Sequence, residues 1–274
     1  MKTFWIRTAS AAVYALLFMG SIFSGHLTRN HDLGVIILTL FALFVTLGCA
    51  VEYFRMAEIK GGKPNKSLGF FFCVVATLCL CLPGIMGLVV AAVLALIVFL
   101  SLPITLMVQL WRESEHPFAD VLHTLLPTFY CAIPLGLMPF INEQNVLAMC
   151  VLLVWANDCF AYIGGSLVGK HKMWPKHSPG KTWEGTAIGV VCCMAVAFFL
   201  GPLFNPEVSW VAWLLMGLVC GIVGTLGDLV ESMLKRSCGV KDSGNIMPGH
   251  GGFLDRFDSL LMILPFVLLI VVFL

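Results

Sequence analysis

The chain has 274 residues, of which 59% are hydrophobic and 11% are charged, and its mean hydropathy is +0.97. A soluble domain carries about 25% charged residues, so this chain has too few to cover a water-exposed surface. Composition therefore excludes a soluble globular enzyme and a disordered chain, and it indicates an all-α, polytopic membrane protein. Most of the 11 cysteines lie in apolar runs, and we interpret those as buried apolar side chains rather than disulfides or metal ligands.

Apolar runs long enough, or nearly long enough, to cross a membrane as helices recur along the whole chain. There are nine of them, at residues 8–28, 33–51, 67–82, 84–110, 121–140, 146–168, 185–204, 209–230 and 257–274. We divide the chain into N-terminal transmembrane helices over 1–145 and a C-terminal region over 146–274. Two long polar loops, 169–184 and 231–256, belong to the C-terminal region, and catalysis is expected there.

The positions of lysine and arginine test this span count, because cytoplasmic loops are enriched in both residues. With nine spans, 15 of the 16 fall on the side of the N-terminus, and only Arg29 falls on the other. The N-terminus is therefore expected in the cytoplasm and the C-terminus in the periplasm or outside. The expected location is the cell (inner) membrane, as a multi-pass protein with both long polar loops on the cytoplasmic face.

The first candidate site residues lie where the eighth run ends. Asp228, Glu231 and Lys235 are three and four residues apart, so they share one helix face. A solvated helix end with a weak ion pair would account for Glu231 and Lys235. Asp228 lies at the edge of the apolar core, where ionisable side chains are costly and usually functional. We therefore predict a functional role for Asp228.

A glycine-rich segment follows within the loop 231–256. Its glycines allow a ligand to approach the backbone and let N–H groups point at an anion. They are Gly249, Gly251 and Gly252, around His250. Asp255 and Asp258 begin the last helix on one face, and the helix dipole would account for one of them. Two carboxylates beside basic residues favour a magnesium–phosphate site, since Mg²⁺ prefers few carboxylates together with substrate phosphates.

The loop 169–184 is basic and superficially similar to a P-loop at Gly180-Lys181-Thr182. The P-loop interpretation fails because Pro175 occupies a required glycine position and no strand is predicted before it. A positive cytoplasmic loop would account for several of its lysines. It does not account for the hydrogen-bonding groups around Lys181, which suit an anion. These groups are Ser178, Thr182 and Glu184.

Asn157 and Asp158 lie well inside the sixth apolar run, where a charge requires a partner or a water-filled cavity. We interpret them as functional rather than structural. Clustered carboxylates, basic residues and glycine turns on one face suit phosphoryl or nucleotidyl transfer. A transporter would place ionisable groups at the membrane midplane in several helices, and here only Asp158 does so.

Three segments of the C-terminal region resemble the phosphatidate cytidylyltransferase (CDP-diacylglycerol synthase) family. The longest reads Ser232-Met233-Leu234-Lys235-Arg236, then Lys241-Asp242, then Pro248-Gly249-His250-Gly251-Gly252-Phe253-Leu254-Asp255-Arg256-Phe257-Asp258-Ser259. Residues 178–185 are similar to the family's second motif, and Asn157-Asp158 with Ala161, Tyr162 and Gly165 also matches. The long segment is specific enough to make a chance match improbable.

The resemblance implies transfer of the cytidylyl group of CTP to phosphatidic acid at the cytoplasmic face, giving CDP-diacylglycerol and pyrophosphate. It also implies Mg²⁺, with K⁺ as a companion ion, a homodimer and contact with membrane lipids; no nucleic acid partner is expected. The catalytic residues that it implies are Asp228, Asp255, Lys235, Arg236 and His250. Its metal ligands are Asp228 and Asp255, with Asp158 and Asp258 as weaker candidates. Its substrate-binding residues are Ser178, Lys181, Thr182, Glu184, Lys241, Asp242, Gly249, Gly251, Gly252, Arg256 and Asn157.

Two residues depart from the family pattern. Gly180 replaces a usual lysine, which removes one positive charge from a phosphate-binding loop, and Met247 is a mild apolar exchange. The alternatives that stay open are another CTP-dependent lipid kinase or nucleotidyltransferase, such as a polyprenol or phytol kinase, and a transporter with a nucleotide-regulated loop. A CDP-alcohol phosphotransferase is disfavoured because its D-G-x-x-A-R motif is absent.

Overall fold

The computed structural model describes residues 2–82, 87–143, 145–246 and 251–273. Helices make up most of the described chain. In chain order they are α1 (Lys2–Ile22), α2 (Ser24–Thr28), α3 (His31–Ile59), α4 (Lys66–Cys81), α5 (Leu88–Phe99), α6 (Ser101–Gln109), α7 (Pro117–Pro127) continued by a π-helical turn (Thr128–Ala132), α8 (Ile133–Gly136), α9 (Met138–Glu143), α10 (Val146–Val168), α11 (Trp183–Phe204), α12 (Trp210–Ser237) and α13 (Leu254–Phe273). Two short strands, β1 (Lys172–Trp174) and β2 (Ser178–Thr182), lie between α10 and α11.

The described residues contain six helices long and apolar enough to cross a membrane. They are His31–Ile59, Pro117–Asn142, Val146–Val168, Trp183–Phe204, Trp210–Ser237 and Leu254–Phe273. A bent pair, Val89–Phe99 and Ser101–Gln109, raises the number to seven if it forms one span, and two shorter apolar helices are Ala12–Ile22 and Lys66–Cys81. The helical, polytopic membrane architecture is thus confirmed. Nine spans and the orientation of the chain ends stay predictions.

The bend between α5 and α6 measures 42° and has a local cause. Pro103 is the third residue of α6. A proline lacks the backbone N–H that would bond to the carbonyl four residues earlier, here that of Phe99, and its ring clashes with that carbonyl. The single predicted run 84–110 therefore contains two helices, which are separated at Leu100.

The chain divides into two compact units. Unit 1 comprises Met1–Pro139 together with Ser237–Arg256, and unit 2 comprises Phe140–Arg236 together with Phe257–Leu274. The glycine-rich segment thus belongs to the same unit as the N-terminal helices. The division at residue 145 made from the sequence had grouped that segment with the C-terminal helices instead.

Helices approach closely in unit 2 where glycines face neighbouring backbone. A Cβ added at Gly185 would lie 2.6 Å from the carbonyl oxygen of Ala161, and one at Gly227 would lie 2.8 Å from that of Asp258. Small residues at helix contacts allow this approach in membrane proteins. The first contact joins α11 to α10, and the second joins α12 to α13, so both bring predicted site residues together.

The loop 169–184 contains a two-stranded antiparallel hairpin that the sequence analysis did not predict. Lys172 pairs with Thr182 and Trp174 pairs with Ser178, with an irregularity between the two pairs. The ladder gives partners to backbone groups that a loop would leave unsatisfied. Thr182 then caps α11, because its side chain accepts a hydrogen bond from the N–H of Gly185. Gly180-Lys181-Thr182 therefore lies in a strand, which is not P-loop geometry.

Candidate active site

A cavity of about 490 Å³ in unit 2 brings several of the predicted site residues together. Hairpin strand β2 and helices α10 and α12 supply most of its wall. The predicted residues among those that line it are Asn157, Asp158, Ser178, Lys181, Thr182 and Asp228. Lys172, Gly180, Thr186 and Thr225 also line it. The wall thus combines carboxylates, ammonium groups and hydroxyls, which are the groups that bind phosphates and cations.

Lys181 and Asp228 form an ion pair in this cavity. The Lys181 Nζ atom lies 2.6 Å from Asp228 Oδ2 and donates a second hydrogen bond to the Thr225 carbonyl oxygen at 3.2 Å. The side chains are 22% and 33% exposed, so both are partly shielded and both still face the cavity. Lys181 comes from the hairpin and Asp228 from α12, so the pair fixes the hairpin against that helix.

Asn157 lines the cavity, although the residue is only 2% exposed. Its Nδ2 donates to Thr225 Oγ1 at 3.1 Å, and Thr225 Oγ1 donates to the Gly221 carbonyl oxygen. Within the part of the chain that the structure describes, Asn157 Oδ1 has no hydrogen-bond partner. Asn157 therefore connects α10 to the helix that carries Asp228. Its neighbour Asp158 is exposed to the cavity, which satisfies the expectation of a polar cavity for a charge in this run.

Three carboxylates cluster on α12 and α13. One ligand atom each from Asp228, Glu231 and Asp258 lies within 4.8 Å of the others. Ser232 donates to Asp228 Oδ1 at 3.3 Å, and the N–H of Ser259 donates to Asp258 Oδ1 at 2.6 Å. Carboxylate oxygens are the ligands that Mg²⁺ takes from proteins, so this donor set fits a small divalent cation.

The structure corrects the interpretation of Glu231 as a solvated surface charge. Glu231 is completely buried, and Lys235 on the next helical turn forms an ion pair with it. The three- and four-residue spacing was interpreted correctly as one helix face, but that face points inward. The neighbouring sequence does not predict this burial, because the residues at a helix end do not show whether solvent or another helix contacts them.

Glu184 lies at the base of the hairpin, not among the residues that line the cavity. Its carboxylate is 2.5 Å from His171 Nδ1 and accepts hydrogen bonds from the N–H groups of Lys170 and His171 at 3.2 Å. These contacts join the last residues before β1 to the first turn of α11. Glu184, which the sequence analysis predicted to bind a substrate, is therefore bound to residues next to the hairpin.

Asp255 lies in unit 1, in the glycine-rich segment. Its Oδ2 atom accepts hydrogen bonds from the N–H of Gly252 at 2.8 Å, the N–H of Ser243 at 3.0 Å and the Ser243 hydroxyl at 2.9 Å. Gly251 has φ +82°, a conformation that favours glycine. Gly249 and His250 lie outside the described residues. Four further basic and acidic candidates, besides Asp158, are exposed: Arg236, Lys241, Asp242 and Arg256.

The sequence comparisons identify the family. The chain matches the model of the cytidylyltransferase family over residues 5–274. It is 36% identical over 267 residues to the phosphatidate cytidylyltransferase of Staphylococcus haemolyticus (strain JCSC1435), covering 95% of this chain and 96% of the relative. It is 34% identical to the proteins of that name from Staphylococcus epidermidis (strain ATCC 12228 / FDA PCI 1200) and Staphylococcus aureus (strain COL), with the same coverage. The chain belongs to the cytidylyltransferase family.

The sequence analysis of this cytidylyltransferase missed one residue, Glu52. It directly follows the predicted run 33–51, and the structure buries it to 3% exposure against the glycine-rich segment. The rule that singled out Asp158, that an ionisable side chain within a spanning helix is usually functional, applies equally to Glu52. Glu52 is the residue directly after the predicted run 33–51, and α3 continues through it to Ile59.

Proposed function

We propose that this chain is a phosphatidate cytidylyltransferase that makes CDP-diacylglycerol and pyrophosphate from CTP and phosphatidic acid. The observation that carries the proposal is the unit 2 cavity, which the Lys181–Asp228 pair lines together with Ser178 and Thr182. Relatives that align with 95% of the chain at 34–36% identity bear this name, which supports the same substrates. CTP and phosphatidic acid are both anionic, and a cavity with cationic and hydroxyl donors suits them.

The reaction does not require a strong general base from the protein. A phosphate oxygen of phosphatidic acid attacks the α-phosphorus of CTP, a new P–O bond forms, and the bond to the β-phosphate breaks with pyrophosphate as leaving group. The nucleophile is already an anion, so the task is to align it and to neutralise charge. Lys181 supplies a positive charge at the cavity wall, and the Ser178 and Thr182 side chains supply hydroxyl groups on the same strand. Preorganised donors of this kind stabilise the charge that develops on the transferring group.

We propose Mg²⁺ as the cofactor, with K⁺ as a companion ion. Asp228, Glu231 and Asp258 would hold Mg²⁺, and Asp158 on the cavity wall is a further candidate. When bound, the ion supplies positive charge that neutralises the triphosphate. The resemblance also implies Asp255, whose carboxylate lies in unit 1. That assignment stays a prediction, and variants of Asp255 test it separately from variants of Asp228.

We place the active site at the cytoplasmic face of the inner membrane, in a chain with nine spans and a cytoplasmic N-terminus. The partition of lysine and arginine, 15 to 1 by predicted loop, supports this orientation. CTP would then arrive from the cytoplasm and the lipid from the inner leaflet. A homodimer is proposed on the family resemblance alone.

Position-specific labelling of CTP tests the reaction and separates it from its alternatives. Purified protein is incubated with phosphatidic acid and CTP labelled on either the α- or the γ-phosphate. We expect α-label in the lipid product and γ-label in pyrophosphate. A lipid kinase would instead carry γ-label into the lipid, so γ-label in the lipid or no transfer at all would refute the proposal. Uptake of CTP into liposomes without turnover would support a transporter.

A further inference from the structure

Glu52 is a buried carboxylate that binds the glycine-rich segment within unit 1. It lies near the end of α3 and is 3% exposed. Its Oε1 accepts a hydrogen bond from the N–H of Phe253 at 2.8 Å, and its Oε2 accepts from the N–H of Leu254 at 3.0 Å and from the Ser243 hydroxyl at 2.7 Å. One side chain from a distant part of the chain thus takes three hydrogen bonds from a single segment.

These contacts connect Glu52 to Ser243 and to the backbone of Phe253 and Leu254, where α13 begins. Backbone N–H groups at the start of a helix have no acceptor within that helix, so the Glu52 carboxylate is a favourable partner for those of Phe253 and Leu254. The Ser243 hydroxyl lies between two carboxylates, 2.7 Å from Glu52 and 2.9 Å from Asp255, and they share its single proton. Glu52 is therefore connected through one hydroxyl group to the aspartate that the family resemblance implies as a metal ligand.

Two glycines make room for the Glu52 carboxylate. A Cβ at Gly244 would lie 2.3 Å from Oε1, and a Cβ at Gly252 would lie 2.2 Å from it. Neither glycine has positive φ, so neither is required for its backbone conformation. The close approach to Glu52 is what excludes a side chain at both positions. The sequence analysis assigned Gly252 to substrate binding. Its contact with Glu52 inside unit 1 also explains why this residue is a glycine.

We propose that Glu52 is a positioning residue for cytidylyl transfer. It holds Ser243 and the backbone of Phe253 and Leu254 in place and, through Ser243, sets the orientation of the Asp255 carboxylate, without contacting the substrates. The proposal rests on the function proposed above, because it requires that Asp255 takes part in that reaction. Whether Glu52 fixes the residues that it contacts is a structural question, and hydrogen exchange can answer it whether or not the protein turns over CTP.

Hydrogen–deuterium exchange in detergent tests the structural part. In Glu52→Gln and Glu52→Ala, peptides containing residues 243–246 and 251–254 are expected to exchange at least tenfold faster, whereas α10–α12 peptides stay unchanged. Glu58→Gln is the matched control, because Glu58 lies on the same helix with its side chain 46% exposed, 2.5 Å from Lys66. Unchanged exchange in the segment would overturn the proposal, and so would a uniform increase throughout the protein, which indicates general destabilisation.

Steady-state kinetics test the catalytic part. Glu52→Ala is expected to lower kcat by about 10²-fold, the scale of a roughly 1 Å misplacement, with KM for CTP changed less than threefold. Glu52→Gln, which keeps one acceptor oxygen, is expected to recover part of the loss. Ser243→Ala removes only the shared hydroxyl; it is expected to lower kcat about tenfold, and it keeps the test decisive if Glu52 variants do not fold. Normal kcat in folded Ser243→Ala and Glu52→Gln would overturn the positioning role.

A double substitution distinguishes contact with Glu52 from a general effect of the loop. Gly244→Ala is expected to lower kcat in the wild-type background, since its Cβ would meet the Glu52 carboxylate. In Glu52→Ala the obstacle is gone, so adding Gly244→Ala is expected to cost no more than twofold. Additive losses would contradict the proposal. If the wild-type protein shows no turnover of CTP and phosphatidic acid, the proposed function fails, and the exchange measurement still decides whether Glu52 holds the segment.

Discussion

Asp228 belongs both to the cavity wall and to the cluster of three carboxylates. It pairs with Lys181 on one side and lies with Glu231 and Asp258 on the other. Asp228→Asn keeps the shape and removes the charge, so we expect kcat to fall by about 10²-fold or more, as when one preorganised electrostatic group is lost. Asp255→Asn is expected to behave alike, with the double variant little worse than either. Turnover against Mg²⁺ concentration measures this, and near-normal turnover at limiting Mg²⁺ would exclude the altered residue as a ligand.

Glu231 and Lys235 form a buried ion pair, so changing one partner is expected to be costly. Lys235→Met would leave the Glu231 carboxylate buried without this cation, and removal of one member of such a pair costs about 3–5 kcal/mol. We expect a large fall in thermal stability in Lys235→Met and a smaller one in the double variant with Glu231→Gln, measured by melting in detergent. Glu58→Gln is the exposed control. Equal stability of Lys235→Met and Glu58→Gln would contradict a buried pair.

Gly180 lines the cavity in place of the lysine usual in the family. A Cβ there meets no atom within 4 Å and the residue lacks positive φ, so a lysine fits without strain. Gly180→Lys is expected to lower the apparent KM for CTP or phosphatidic acid by roughly threefold or more, most strongly at low salt because salt screens the added charge. Gly180→Ala is the neutral control. An unchanged KM in the folded lysine variant would mean that neither anionic substrate approaches this strand.

At the scale of elements, the length of the apolar runs predicted the helices, and the polar and charged residues singled out from the sequence include several that line the cavity. All nine predicted runs contain helix in the described residues, because an apolar run in a membrane must satisfy its backbone internally. The hairpin was not predicted because its strands have only three and five residues, with Pro175 directly after β1 and Pro179 inside β2, so no alternation marks them. Contacts between distant segments, such as Glu52 with Ser243, were also out of reach, since spacing along one chain segment carries no information about its partner.

Helices α12 and α13 meet at Gly227, and that contact brings Asp228 to Asp258. A Cβ at Gly227 would lie 2.8 Å from the Asp258 carbonyl oxygen and 3.0 Å from the Ser259 Cα, both backbone atoms that cannot rotate away. Gly227→Ala is therefore expected to separate the helices, to destabilise the protein by about 1–3 kcal/mol and to lower kcat at least tenfold. Gly224→Ala is the matched control one turn earlier, where the nearest atoms lie at 3.7 Å. Equal effects of the two variants would argue against this contact.

At the scale of the whole molecule, the charge partition predicts which surfaces face the cytoplasm. In a background without accessible native cysteines, Lys60→Cys and Lys176→Cys are expected to be protected from an impermeant thiol reagent added outside intact cells, because their loops carry the positive charge. Glu207→Cys, in the loop before α12, is expected to react. Permeabilised cells supply the control for reactivity. Labelling of the Lys176→Cys variant from outside would contradict nine spans with a cytoplasmic N-terminus.

The central claim is that the unit 2 cavity carries out cytidylyl transfer to phosphatidic acid. The most direct measurement follows pyrophosphate and CDP-diacylglycerol together in purified wild-type protein and Asp228→Asn, with and without Mg²⁺. We expect both products in equal amounts, formed by the wild-type protein only when Mg²⁺ and phosphatidic acid are present, and about 10²-fold slower in Asp228→Asn. Formation of CDP with a newly phosphorylated lipid, or wild-type rates in Asp228→Asn, would contradict it.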